Sequence, residues 1–74
     1  MKPNGVAIKA FRESKHIGTR ELARRVGISH QFMVRIQQGT RGASELTLFR
    51  IAKELDVSVG AISHPDPVSA VRAS

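Results

Sequence analysis

The sequence predicts an all-α fold, a compact bundle of five short helices, and three observations lead there. Almost nothing in the chain alternates two by two, whereas apolar residues recur at helical spacing in five blocks. Each block is bounded by residue types that start or stop a helix. The length of 74 residues, with 41% hydrophobic and 24% charged, suits one small globular domain. A chain this short buries only about 60% of its unfolded surface, so its stability is marginal or helped by dimerisation.

The first helix follows Pro3, with Asn4 as its N-cap, and carries Ile8 and Phe11 on one face with Ala7 beside Phe11; it ends near His16. A second starts at Gly18 or Thr19, where Glu21 in the first turn suits the helix dipole. It buries Leu22, Ala23 and Val26 before Gly27 stops it, barely two turns on. Ser29 caps a third helix that runs to about Gln38, where Gly39 takes the left-handed geometry that ends it. Thr40, Arg41, Gly42 and Ala43 form a loop. Ser44 caps the fourth helix, whose Leu48, Ile51, Ala52 and Leu55 give the strongest amphipathic pattern in the chain. Ser58 opens a last short helix presenting Val59 and Ile62. The one composition shift falls at His64, so residues 1–63 are expected to form the domain and 64–74, with Pro65 and Pro67, a flexible or dimer-associated tail.

Composition narrows the function. Without cysteine there is no disulfide framework and no tetrathiolate zinc site, and His16, His30 and His64 lack paired metal-ligand spacing, so no metal or other cofactor is expected. No Ser, His and acid constellation, paired carboxylates or glycine-rich phosphate loop is visible, so no enzymatic activity is expected, and the core is too small for a sizeable pocket, so no small-molecule ligand is expected. No apolar run approaches the roughly 18 residues of a membrane span and the first residues lack a signal peptide's apolar block, so the expected location is cytoplasmic.

Twelve Lys and Arg against six Asp and Glu give a net charge of +6. The whole excess lies in residues 1–37, which hold eight basic and two acidic residues against four and four thereafter. Such a lopsided field suits a polyanion, nucleic acid before an anionic membrane face. With Phe11, Phe32 and Phe49 as the only aromatics, single-strand binding by base stacking is disfavoured.

The second and third helices are joined by the short turn Gly27, Ile28, Ser29. One helix of such a pair can brace on a phosphate backbone while the other lies in the major groove; an ordinary αα-corner has the same spacing. On a wheel of the third helix, Phe32, Met33, Ile36 and Gln37 share one arc, and His30, Gln31, Val34, Arg35 and Gln38 the opposite one. That outer arc carries no acid and is the candidate base-reading face. Gln31 can pair bidentately with adenine and Arg35 with guanine, while Val34 either meets a thymine methyl or is scattered surface apolarity. His30 either donates to a base or phosphate or is simply solvated.

Three segments, Arg-Glu-Leu-Ala-Arg-Arg-Val-Gly-Ile-Ser at 20–29, Arg-Ile-Gln-Gln-Gly at 35–39 and Leu-Phe-Arg-Ile-Ala-Lys-Glu-Leu-Asp-Val-Ser at 48–58, resemble the Cro and phage-repressor (XRE) helix-turn-helix family. The likeness runs from about Ile8 to Ile62. It implies a lambda-repressor-like bundle with the helix-turn-helix in helices two and three, a dimer on a near-palindromic operator, and transcriptional regulation, often by phages, mobile elements or toxin-antitoxin loci. By position it implies base reading at His30, Gln31 and Arg35, and backbone contacts at Thr19, Thr40 and Arg41. Ser29 and Gln38, at the ends of the same face, and Arg20, on the outer side of helix two with Arg24, complete the expected backbone set.

Four positions depart from the family pattern. Thr19 replaces the usual glutamine at the start of helix two, and its shorter hydroxyl reaches phosphate through water. Gln37 replaces the glutamate that pairs with the arginine matched by Arg12, giving a charged-to-neutral hydrogen bond and leaving Arg12 free to face phosphate. His16 and Asp56 stand where glycines end helices one and four, so both are expected at positive φ.

Two copies are expected, because one recognition helix reads few base pairs. Val59, Ile62, Val68 and Val71 are the expected interface, small enough that the dimer forms chiefly on double-stranded DNA. Within these residues no further regulatory domain is legible, so control by concentration, proteolysis or competition for a shared operator is expected. The competing function is an antitoxin-like interaction protein that mainly holds a protein partner. Sequence-independent coating of nucleic acid fits the charge but not the outer arc.

Overall fold

The computed structural model describes residues 2–64. Four α-helices, α1 (Gly5–Ser14), α2 (Thr19–Val26), α3 (His30–Gln38) and α4 (Glu45–Leu55), are followed by a single 3-10 turn at Val59–Ile62. Three of the four starts are where the small polar residues placed them, and α2 follows Gly18 without a side-chain cap. The Asn4 Oδ1 accepts from the Ala7 amide at 3.1 Å, the Ser29 Oγ from Phe32 at 3.0 Å and the Ser44 Oγ from Thr47 at 3.1 Å, each satisfying an otherwise orphaned first-turn N–H.

The helix ends share one device. His16, Gly27, Gly39 and Asp56 all take positive φ, at 57°, 87°, 78° and 56°. In each case the next residue's amide turns back onto a carbonyl of the last helical turn: Ile17 to Arg12, Ile28 to Ala23, Thr40 to Arg35 and Val57 to Ala52, at 3.0–3.1 Å. Ile17, Ile28 and Val57 then pack against the core. The expectation of left-handed backbone at two non-glycine positions therefore holds.

Ile8 from α1, Leu22 and Val26 from α2, Met33 and Ile36 from α3, and Leu48, Ile51 and Leu55 from α4 meet in a single core. The approach of α1 to α3 depends on Gly5, where an added Cβ would fall on the backbone carbonyls of Ile36 and Gln37. Asn4, Ile8, Phe11 and Ala7 occupy the places expected of a capped amphipathic helix, although α1 closes at Ser14 rather than near His16.

Two expectations require correction. The fifth helix is not α-helical: Val59–Ile62 is one 3-10 turn, and Ser58 precedes it without a side-chain cap. Four residues including a glycine are too few to recover the cost of nucleating an α-helix. Nor is the chain wholly helical. Lys2–Pro3 (β1) and Ser63–His64 (β2) pair antiparallel, with Lys2 opposite His64 and Pro3 opposite Ser63. The Asn4 amide donates to the Ile62 carbonyl at 2.8 Å and continues this pairing to the cap of α1. His64, expected at the head of the tail, thus belongs to the folded part, and the remainder of the tail, with Val68 and Val71, lies outside the described residues.

Ile62 also loses its expected role. It is fully buried in the core between α1 and α4, so it cannot form part of an exposed dimer interface, and Val59 is half-buried against the same core.

Candidate nucleic-acid interface

The pairing of α2 with α3 sets the site. Leu22, Ala23 and Val26 face inward from α2, Met33 and Ile36 from α3, and the connection is three residues long, from Gly27 to the Ser29 cap. Burying these inner faces leaves the opposite arc of α3 outward. Gln31, Arg35 and Gln38 are exposed, as the wheel requires. His30 and Val34 are half-buried, which corrects the expectation of an exposed Val34. The valine forms part of a recess with Lys9, Arg12, Thr19, Gln37 and Gln38, so neighbouring elements shelter it.

Two further recesses lie beside α3. One is lined by Ser29, Gln31, Phe32, Arg35 and Arg41. The other shares Arg41 and is lined by Lys2, Pro3, Gly39, Thr40 and Gly42. The guanidinium of Arg41 lies over the Phe32 ring, 5.2 Å from its centroid, a cation–π contact that limits where this cation can go. Thr40 is fixed as well, its amide and hydroxyl both donating to the Arg35 carbonyl at 3.1 and 3.3 Å. The three recesses therefore gather Thr19, Ser29, Gln31, Val34, Arg35, Gln38, Thr40 and Arg41, most of the residues expected to read bases or hold the backbone. His30 and Arg20 line none of them.

Charge in the recesses is of one sign. Lys2, Lys9, Arg12, Arg35 and Arg41 line them and no carboxylate does. On the outer side of α2 the situation differs. Glu21 accepts from Arg24 Nε at 2.9 Å and from Arg25 Nε at 2.9 Å, and these hydrogen bonds pull its pKa from the ordinary 4.5 to about 2. Arg24 and Arg25 are thereby partly neutralised in place.

Arg12 is held more firmly than expected. Its Nε donates to Gln37 Oε1 at 3.1 Å and its Nη1 to the Ile17 carbonyl at 2.9 Å, while Gln37 Nε2 donates to the Met33 carbonyl at 3.3 Å. The charged-to-neutral bond is present, but it anchors the guanidinium between α1 and α3 rather than releasing it. Sequence reasoning missed three contributors. Lys9 shares a face of α1 with Arg12 at i, i+3 and was legible from that spacing. Lys2 reaches the site only through the β1–β2 pairing, and Phe32 through its stacking under Arg41, neither of which leaves a local signal.

Residues 8–62 match the sequence profile of the helix-turn-helix family. That covers well over half of the chain. The chain belongs to the helix-turn-helix family, of the XRE type. This helix-turn-helix chain is 35% identical to an uncharacterized HTH-type transcriptional regulator of Mycobacterium tuberculosis, over 92% of its own length and 53% of the relative. It thus spans about half the length of the curated relatives it matches. Among solved structures it is similar to the clp gene regulator ClgR of Corynebacterium glutamicum, with a TM-score of 0.73 and 29% identity over 74% of this chain and 58% of that one. It is also similar to the biofilm master regulator SinR, solved in complex with DNA, with a TM-score of 0.70 and 30% identity over 74% of this chain and 89% of that one. The helix-turn-helix domain is predominantly helical, with four α-helices. Among the described residues no helix is long and apolar enough to cross a membrane, and no group of three His, Cys, Asp or Glu could hold a metal ion.

Proposed function

We propose that the chain is a sequence-specific, double-stranded DNA-binding transcriptional regulator of the Cro-like or minimal-repressor kind. In this reading α2 and α3 form the helix-turn-helix, and α3 enters the major groove of a near-palindromic operator. Gln31 and Arg35 read base edges, with His30 and Val34 beside them. Thr19, Arg20, Ser29, Gln38, Thr40 and Arg41 hold phosphates, joined by Lys2 and Lys9. The observation that carries it is the set of three recesses along α3, lined by five cations and no carboxylate. A surface that only kept the protein in solution would intersperse both signs. The likeness to SinR, whose structure was solved with DNA, supports the same reading.

The test is selection from a random duplex library at about 0.15 M salt, run in parallel with Arg35→Ala. The expected result is an enriched palindrome with half-sites about 10 bp apart, losing preference at one base pair per half-site in the variant. Duplex binding without enrichment would overturn sequence-specific reading and favour the interaction protein.

A further inference from the structure

Asn4 is the chain's only asparagine, and Gly5 follows it. The fold explains the glycine: Gly5 is buried, and a Cβ on it would fall on the backbone carbonyls of Ile36 and Gln37. Capping α1 explains a small polar residue at position 4 but not an amide. The caps of α3 and α4 are Ser29 and Ser44, and serine ranks with asparagine in that role. The pair so formed joins a labile side-chain amide to the least hindered backbone nitrogen that can follow it. In the fold this junction is held on three sides. The Asn4 amide donates to the Ile62 carbonyl at 2.8 Å, and its Oδ1 accepts from the Ala7 amide at 3.1 Å. Its carbonyl accepts from the Ile8 amide at 3.0 Å, which fixes the plane of the peptide to Gly5.

We propose that Asn4–Gly5 is a self-modification site that reacts only when the β1–α1 junction opens, and that its two products have opposite fates. The Gly5 backbone nitrogen attacks Asn4 Cγ; the N–Cγ bond forms, and the side-chain nitrogen leaves as ammonia with the proton of the Gly5 amide. Water then opens the cyclic imide at one of its two carbonyls. Breaking the new N–Cγ bond gives aspartate, and breaking the original peptide bond gives isoaspartate, in which the chain runs through Cγ. Water enters and ammonia leaves, with no change of oxidation state. Closing the imide needs the Gly5 nitrogen over the face of Cγ, a rotation that breaks the hydrogen bonds of Ala7 and Ile8 to Asn4 and lifts Gly5 from α3. The aspartyl chain closes again, because a carboxylate caps as well as an amide and is favoured at a helix N-terminus. The isoaspartyl chain does not. Its backbone is a methylene longer between the hydrogen bond to Ile62 and the contact of Gly5 with α3, two fixed points with no slack between them. It loses the cap of α1 and the β1–β2 pairing that brings Lys2 beside Thr40 and Arg41. Time spent open is thereby recorded in the covalent structure, independently of any DNA contact.

Ageing the full chain in mildly alkaline buffer at physiological temperature, followed by peptide mapping by mass spectrometry, reads the site. In guanidinium chloride the peptide holding Asn4 is expected to gain the mass of an amide turned to an acid. In buffer the same change is expected to be about tenfold or more slower, and to accelerate with denaturant below the main transition as the junction opens. Equal rates in the two solvents overturn the gating, and an unfolded chain unmodified at Asn4 overturns the site. Asn4→Ser keeps a cap without the amide, so its peptide is expected to stay unchanged; an acid that forms there all the same also overturns the site. Asn4→Asp makes the aspartyl product directly and is expected to melt at or above the wild-type temperature. The isoaspartyl fraction, separated from the aged unfolded chain and returned to buffer, is expected to lack the cooperative melt of the wild type. An isoaspartyl chain that melts as the wild type does, or an Asn4→Asp chain that does not fold, overturns the opposite fates.

Discussion

His16 ends α1 at φ 57°, where a side chain with a Cβ costs about 1–2 kcal/mol. It is exposed, so no packing is lost with its ring. His16→Gly is therefore expected to stabilise the fold by about 0.5–1 kcal/mol, the strain relieved less the added freedom of the unfolded chain. A scanning melt would read this as a rise of several degrees, since about 1 kcal/mol moves the midpoint of a domain this size by 4–8 °C. Asp56→Gly should gain less, because Asp tolerates the left-handed region better. The contact of Arg12 with Gln37 gives a second expectation. Gln37→Glu replaces a neutral acceptor at 3.1 Å with a charged one in a half-buried setting and should add about 1 kcal/mol near neutral pH. An unchanged or lowered melting temperature would show that the contact carries little energy. These residues were legible because they interrupt a pattern: polar caps before apolar blocks, and non-glycine residues where a left-handed turn is required. Phe32 was not. Its packing against the core could be read from the wheel, whereas its contact with Arg41 depends on where the loop after α3 folds.

At the scale of the element, the α1–α3 crossing shows what periodicity omits. Gly5 looks like an ordinary first-turn residue in sequence, yet the carbonyls of Ile36 and Gln37 occupy the space a Cβ would need. Gly5→Ala, favourable in an isolated helix, should destabilise this protein by about 3 kcal/mol or more, because backbone must move to admit the methyl. A denaturant titration showing an unchanged midpoint would refute the close approach. In α2 the relevant device is electrostatic. Glu21 titrates near pH 2 instead of 4.5 because Arg24 and Arg25 donate to its carboxylate. A folded-state pKa below the unfolded one means that this contribution is complete above about pH 5 and is lost as pH falls through 2. Glu21→Gln should therefore flatten the acid limb of stability against pH in that window, and two superimposable limbs would count against the fork. The last turn was misread for a related reason of scale. Ser58, Val59 and Ile62 have the polar start and apolar spacing of a helix, but one turn cannot propagate, and the Asn4–Ile62 hydrogen bond draws the chain into β2 instead.

For the whole molecule, the first-half excess of basic residues proves informative because the fold converts it into a surface. Lys9, Arg12 and Arg35 from that half meet Arg41 from the other along α3, while Arg24 and Arg25 are turned onto Glu21. DNA affinity is expected to fall by about 0.9 log units per log of salt for each phosphate neutralised. Arg41→Ala should reduce that slope by about one per protomer, and Arg50→Ala, which lines none of the recesses, should leave it unchanged. Equal slopes for all three proteins would remove Arg41 from the phosphate contacts. Helix order, caps and the outer arc of α3 were legible in the chain because they depend on neighbours within a turn. The half-burial of Val34, the loss of Ile62 to the core and the arrival of Lys2 beside Thr40 were not, since each depends on segments distant in sequence.

The short β1–β2 pairing has one more consequence. With Lys2 opposite His64, the two ends of the described chain lie a single strand spacing apart, about 5 Å. A folded unit whose ends leave from one point can be spliced into the tip of a host protein's hairpin without prying the hairpin open, or closed on itself and cut elsewhere. The cost of such grafting falls on one side only, because that point borders the recess of Lys2, Thr40 and Arg41. A host mounted there would stand over the cationic face and act as its awning.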